Sequence, residues 1–331
     1  MKQGPTGLPH GGEPPQGISK DGVDWLDLST GIAPFAYPFT PPPERAWRNL
    51  PRRLEEQTLL SAAASSFGLV RLDDICLGPG SQALLQLLPT LLPEGAAAVL
   101  APTYNEHAHR WARAGHRVEE ISVLAELPAQ CRYLVAVNPN NPTGEVQDRT
   151  ALSALAEKMA ARDGYLIVDE AFCDLLPDAS LGREAGRPGL LVLRSFGKFF
   201  GLAGLRLGFL LGPAAFIAMA RERIGPWPVN GPALAIAAQA YGDAAWIAAH
   251  RQALAQQAAK LRQVLARHGR IIGGTDLFVL LQADNSAALH AGLAAARIHV
   301  RDFAEQGAWL RFGLPGEETA WKRFEAALAL I

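Results

Sequence analysis

Apolar runs alternating with helical segments constrain this chain more than any other feature. The runs at 75–77, 97–100, 118–123, 133–137, 165–168 and 190–193 are short and rich in Val, Ile, Leu and Ala. Helical spacing fills the gaps, as at 55–67 (stopping at Gly68), at 82–92, from Pro102-Thr103-Tyr104 to 114, and at 150–162. A run apolar at every position is a strand covered on both faces. A helix between two such strands is a crossover that leaves them parallel. The expected fold class is therefore α/β, built on a mostly parallel, buried sheet.

The 331 residues exceed what one hydrophobic core usually supports, so a second, smaller domain is expected. The texture changes after Pro226-Trp227-Pro228. An Ala-rich helical stretch at 233–268, with a break near Gly242, leads into strands at 277–281, 299–301 and 309–312 and helices at 287–296 and the C-terminus. This reads as a small α+β unit. The expected division is an arm at 1–43, a large domain at 44–225 and a small C-terminal domain at 226–331. The arm is punctuated by Gly and Pro, with a short strand at 25–28. Trp25, Phe35, Tyr37 and Phe39 make it too apolar for a free tail, so it is expected to lie over a cleft or a partner subunit.

Composition closes off other classes. With 19% charged residues and a net charge of −1, no face need be basic, so neither nucleic acid nor an anionic membrane is an expected partner. The cluster Arg45, Arg48, Arg52 and Arg53 reads as a solvated helix end. The longest apolar stretch, 83–100, is cut by Pro89, Pro93 and Glu94 and is no membrane span. The opening MKQGPTGLPHGGEPPQG lacks the apolar core of a signal peptide. Cys76, Cys131 and Cys173 are widely spaced with no CxxC pair. No disulfide framework or metal site is expected, and a reducing cytoplasm is the expected compartment.

Ligands of an open parallel sheet bind beyond the C-terminal ends of its strands, and four segments there are unusual. In Gly78-Pro79-Gly80-Ser81-Gln82, small residues precede a helix start, which suits an anion such as phosphate; a plain tight turn is the other reading. In Asn138-Pro139-Asn140-Asn141-Pro142-Thr143-Gly144, prolines hold the loop extended and fix the direction of the Asn141 amide. Asp169-Glu170-Ala171-Phe172 ends a buried strand on a carboxylate, which needs a cation, a salt bridge or a cap. In the run from Ser195 to Gly208, Lys198 stands among Phe, Gly and Leu. Partial desolvation there favours the neutral amine that attacks carbonyls. Arg206, in a similar apolar setting, is expected to be buried and to hold an anion.

Together these segments resemble fold-type I enzymes dependent on pyridoxal 5′-phosphate (PLP), the superfamily of class I and II aminotransferases. The resemblance runs in order over nearly the whole chain. It implies a PLP-transferase fold with a seven-stranded sheet, and a homodimer. It implies Lys198 as the Schiff-base lysine and proton donor, and Asp169 as partner of the pyridine nitrogen. Asn141 is implied as partner of the ring oxygen and Tyr104 as the aromatic stacked on the ring. Gly80, Ser81, Gln82, Ser195 and Arg206 form the implied phosphate cup. Arg311 is implied to hold the substrate carboxylate, and Arg301, helped by His10, a substrate phosphate.

Within the superfamily, His10-Gly11-Gly12 and the segment from Trp25 to Gly31 look most like the threonine-phosphate decarboxylases of cobalamin biosynthesis. The histidinol-phosphate aminotransferases are the alternative. Three positions depart from the pattern: Phe172 where Tyr is usual, Ala33 where Asn is expected, and Leu50-Pro51 where Tyr-Pro is frequent. A regulatory PLP-binding module would carry a DNA-binding domain ahead of this fold, and no helix-turn-helix pattern precedes residue 44.

Overall fold

A computed structural model describes residues 10–15 and 24–331, apart from the side chain of Ala304. The parts of the expected arm at 1–9 and 16–23 lie outside the described residues. The first strand is β1 (Leu26–Asp27), followed by helices α1 (Glu44–Arg48) and α2 (Arg53–Phe67). Then come β2 (Ile75–Gly78), α3 (Ser81–Leu87), β3 (Ala96–Leu100), α4 (Glu106–Arg113), β4 (Arg117–Ile121), β5 (Tyr133–Val137), α5 (Arg149–Ala160), β6 (Tyr165–Asp169) and β7 (Leu190–Ser195), alternating as the sequence predicts except that only short 3-10 turns separate β4 from β5 and β6 from β7. The short α6 (Phe196–Phe199) and β8 (Gly208–Leu211) complete the sheet.

The seven strands run in the order β2-β8-β7-β6-β5-β3-β4. All pair in parallel except β8, which is antiparallel to both its neighbours. Every residue of β5 and β7 is buried, as a strand covered on both faces requires. The core on one face joins Leu84, Leu85 and Leu88 to Trp111, Tyr133, Val135, Ile167 and Ile217.

Helix α2 ends where the sequence breaks it. Gly68 takes the left-handed conformation (φ 73°) and donates its N–H to Ala64 and Ser65 carbonyls. Helix α7 (Ala214–Ile224) is followed by α8 (Gly231–Gly242), whose start is capped by the Asn230 side chain accepting from the Ala233 N–H at 2.9 Å. Helix α8 is apolar all round and packs on α1 and α2. A Cβ on Gly231 would lie 2.4 Å from the Ala46 carbonyl oxygen, so glycine sets how closely α8 approaches α1. The compact grouping accordingly places 37–43 and 226–248 with the sheet, the sheet unit being 37–141 and 145–248.

Among the described residues, the other compact unit comprises 10–15, 24–36, 142–144 and 249–331. After α9 (Ala244–Leu265) come β9 (Gly269–Thr275), β10 (Phe278–Ala283), α10 (Ser286–Ala295), β11 (Ile298–His299), β12 (Arg301–Phe303), β13 (Trp309–Gly313) and α11 (Glu318–Leu328). Four of these strands form an antiparallel sheet in the order β12-β13-β10-β9. The described part of the arm is docked: β1 pairs in parallel with β11, and the Gly313 N–H donates to the Leu28 carbonyl at 2.7 Å. The three cysteines are free and buried. No helix among the described residues is long and apolar enough to cross a membrane.

Candidate active site

The residues expected to hold the cofactor all fall in the sheet unit. The C-terminal ends of β2, β3, β5, β6 and β7 share one edge of the sheet, and the antiparallel β8 begins there. Each candidate sits at that edge by its place in the chain. Gly80, Ser81 and Gln82 follow β2, Tyr104 follows β3 and Asn141 follows β5. Asp169 ends β6, Ser195 ends β7, Lys198 is in α6 and Arg206 precedes β8.

The phosphate end is a cradle that side chains would fill. Gly80 has φ 90° and ψ 151°, a conformation open to glycine alone. A Cβ there would meet Arg206 Nη2 at 2.7 Å, and a Cβ on Gly208 would meet the Ser81 nitrogen at 2.3 Å. The two glycines let the Arg206 guanidinium and the first turn of α3 converge. No side chain caps that turn. Arg206 corrects one expectation: it is exposed rather than buried. It takes a left-handed conformation (φ 52°) at the turn into β8, which lays its side chain across the bare Gly80 backbone instead of into the core. Gly80→Ala is expected to weaken PLP binding at least about fivefold, because a non-glycine residue here costs roughly 1–3 kcal/mol. Fluorescence titration of the apoprotein measures it, and an unchanged affinity would remove Gly80 from the cup.

Asp169 is buried, and its neighbours hold it from both sides. His107 Nε2 lies 3.0 Å from Oδ2, and the Ala171 N–H donates to Oδ1 at 3.0 Å. Glu170, next in the chain, bonds Ser180, Leu181 and Arg194 instead. The Tyr104 hydroxyl donates to Gln82 Oε1 at 3.0 Å, Gln82 Nε2 donates to Glu106 Oε2 at 3.0 Å, and Arg110 Nε donates to the same oxygen at 2.7 Å. Tyr104 also meets the His107 ring edge to face at 6.2 Å. The Asn140 amide donates to the Pro102 carbonyl at 2.9 Å and its oxygen accepts from the Thr103 hydroxyl at 2.7 Å, joining the Asn141 loop to the Tyr104 loop. Lys198 is half-buried, with Nζ 5.7 Å from the Phe172 ring centroid.

His107 and Glu106 were not singled out from the sequence. Their only signal is position: α4 begins two residues after Tyr104, so its first turn must stand at the same sheet edge. That Glu106 is wholly buried there is a tertiary fact no local pattern carries.

The remaining candidates belong to the other unit. Arg301 on β12 and Arg311 on β13 are direct cross-strand partners, and both are buried. Arg311 stacks over Phe278 (5.2 Å) and Phe303 (5.8 Å), Arg301 over Phe303 (4.9 Å). Arg311 Nη2 donates to the Ser29 carbonyl at 2.7 Å. His10 precedes Gly11 and Gly12, which rest on the same Ser29. Next to Arg301, burial lowers the pKa of His299.

The sheet, with an anion cradle, a fixed carboxylate and a half-buried lysine at one edge, is that of a fold-type I PLP enzyme. The donor set fits PLP: the cradle suits its phosphate, Asp169 its protonated ring nitrogen and Lys198 its carbonyl carbon. Residues 44–324 match the family Aminotransferase class I and II, and the chain belongs to that family of PLP-dependent enzymes. It is similar to the threonine-phosphate decarboxylase of Pseudomonas aeruginosa, 44% identical over 97% of each chain. It is similar to that of Sinorhizobium sp, 41% identical over 97% of each. The solved structure of the histidinol-phosphate aminotransferase from Clostridium acetobutylicum superposes with a TM-score of 0.79 at 21% identity, covering 91% of this chain and 97% of that one.

Proposed function

We propose that this enzyme decarboxylates L-threonine O-3-phosphate to CO₂ and (R)-1-aminopropan-2-yl phosphate, a cobalamin side-chain precursor. The observation that carries the reading is the buried pair Arg301 and Arg311, side by side on β12 and β13. Like charges directly opposite on neighbouring strands repel, and a substrate with two anionic ends relieves that repulsion. The names of the two relatives above support the same substrate.

When bound, PLP supplies an electron sink for the substrate's α-carbon. The side chains do the rest. Arg311 binds the carboxylate, and Arg301 with His10 binds the phosphate. Asp169, fixed by His107, holds the proton of the ring nitrogen, and Asn141 orients the ring oxygen. Tyr104 covers one ring face. Gly80, Ser81, Gln82, Ser195 and Arg206 bind the cofactor phosphate. As CO₂ leaves, its bonding electron pair stays with the α-carbon, and Lys198 Nζ delivers the proton there. Whether the α-carbon loses CO₂ or hydrogen would be set by the direction in which Arg311 and Arg301 hold the substrate.

Purified enzyme with PLP and L-threonine O-3-phosphate is expected to release CO₂ without consuming 2-oxoglutarate. Glutamate exchange without CO₂ would assign the enzyme to transamination instead. The protein is proposed to be a cytoplasmic homodimer. Trp47, Leu50 and Leu54 are exposed together around the α1–α2 turn, an apolar group that a second copy would cover. Light scattering at micromolar concentration tests the dimer.

A further inference from the structure

We infer that Ser29 is the positioning residue that couples the His10-Gly11-Gly12 segment to Arg311. Ser29 is completely buried, and four bonds converge on it. Its hydroxyl donates to Asp27 Oδ1 at 2.6 Å, the Gly12 N–H donates to that hydroxyl at 2.7 Å, and Arg311 Nη2 donates to the Ser29 carbonyl at 2.7 Å. The same Asp27 oxygen also accepts the Ser29 N–H at 2.8 Å.

The direction of this chain of bonds is fixed. Asp27 Oδ1 accepts both the N–H and the hydroxyl of Ser29, so it is the acceptor end of the chain. A hydroxyl has one proton, and Asp27 takes it. The remaining lone pairs of Ser29 Oγ can therefore only accept, and the Gly12 N–H is the donor they receive. Gly11 completes the fit: a Cβ there would lie 2.4 Å from the Ser29 carbonyl oxygen, so the segment rests on the same carbonyl that orients Arg311. One side of Ser29 thus holds the arm and the other the guanidinium, and Arg311 faces Arg301 across the strand pair.

The consequence rests on the reading that His10 and Arg301 take the substrate phosphate and Arg311 its carboxylate. Ser29 then sets the spacing between the two anion sites and selects for substrates that carry both groups. Ser29→Ala keeps the backbone carbonyl, and with it the bond to Arg311, while removing only the hydroxyl. The affinity of the holoenzyme for L-threonine O-3-phosphate is expected to fall on the order of five- to tenfold, the weight of one neutral hydrogen bond. Affinity for L-threonine, which has no phosphate for His10, is expected to stay within about twofold, and PLP affinity to be unchanged.

Two measurements on the full-length holoenzyme test this. Hydrogen exchange at the Gly12 amide reads the latch directly, independent of any substrate, and is expected to accelerate in Ser29→Ala. Spectral titration with L-threonine O-3-phosphate and L-threonine, in Ser29→Ala, His10→Ala and the double variant, reads the coupling. The double variant is expected to lose no more than His10→Ala alone. Unchanged Gly12 exchange, equal weakening of both ligands, or fully additive losses would each overturn the inference. If His10→Ala itself binds L-threonine O-3-phosphate like wild type, the assignment of His10 to the phosphate fails instead. Faster Gly12 exchange in Ser29→Ala would then show the latch standing without it.

Discussion

Lys198→Ala is expected to lower turnover by about 10⁴-fold, the upper range for losing a group that moves a proton at the reacting carbon. It is also expected to end covalent retention of the cofactor. Treating wild type with borohydride and digesting it should yield one pyridoxyl-bearing peptide containing Lys198; the variant should yield none. The loss is chemical rather than structural. Lys198 is half-buried, while its neighbours Phe196 and Phe199 are buried and hold α6 in place without it. Denaturant stability should therefore change by no more than about 0.5 kcal/mol. A cofactor adduct surviving on the alanine variant would move the role to another lysine.

The sheet was legible because each buried parallel strand leaves an uninterrupted apolar run. The predicted 133–137 coincides with β5, and 190–193 falls inside β7. Strands without that signature were missed. β8 is four residues hidden behind the Gly-rich run, and β9 (Gly269–Thr275) reads GRIIGGT, too rich in glycine to resemble a strand. Of the short α1 only the solvated Arg45 and Arg48 were legible, as part of a helix end; its start was lost behind three prolines.

The site shows the same division. Asp169 and Lys198 announce themselves because a charge beside an apolar strand end is locally odd. Asp169 and Glu170 are adjacent acids at one strand end, and nothing local separates their duties. Only the tertiary structure sends Asp169 to His107 and Glu170 to Arg194. The exposure of Arg206 is likewise a property of one backbone torsion, invisible in a run of Gly and Leu.

That second carboxylate leads to the largest expected effect on stability. Arg194 on β7 is a buried cation set among three partners. Its Nη1 donates to Glu170 Oε2 at 2.8 Å and to Ser180 Oγ at 3.1 Å, and its Nη2 pairs with Asp174. The guanidinium also lies 4.4 Å from the Phe67 ring centroid. Burial alone disfavours its charge, but Asp174 and Glu170 outweigh that and hold it ionised. Close by, burial first and Asp174 second push the Tyr241 phenol up, so it stays neutral. Arg194→Ala would leave two buried carboxylates facing each other without a cation, at a cost of about 3–5 kcal/mol. Because Asp169 and Ser195 are the chain neighbours of Glu170 and Arg194, PLP affinity should fall with it. As a set the charges are expected to contribute far less than the removal of any one of them costs. Glu170 receives the Ser180 hydroxyl on one oxygen and the Leu181 N–H on the other; a Gln oxygen can accept the Leu181 N–H while its NH₂ donates to Ser180 Oγ, which no longer accepts from Arg194. Replacing the set together, Arg194→Met with Glu170→Gln and Asp174→Asn, is therefore expected to cost less than Arg194→Ala alone. Urea denaturation of the two variants decides it, and a triple variant less stable than the single one would mean that the ion cluster itself holds β6 and β7 together.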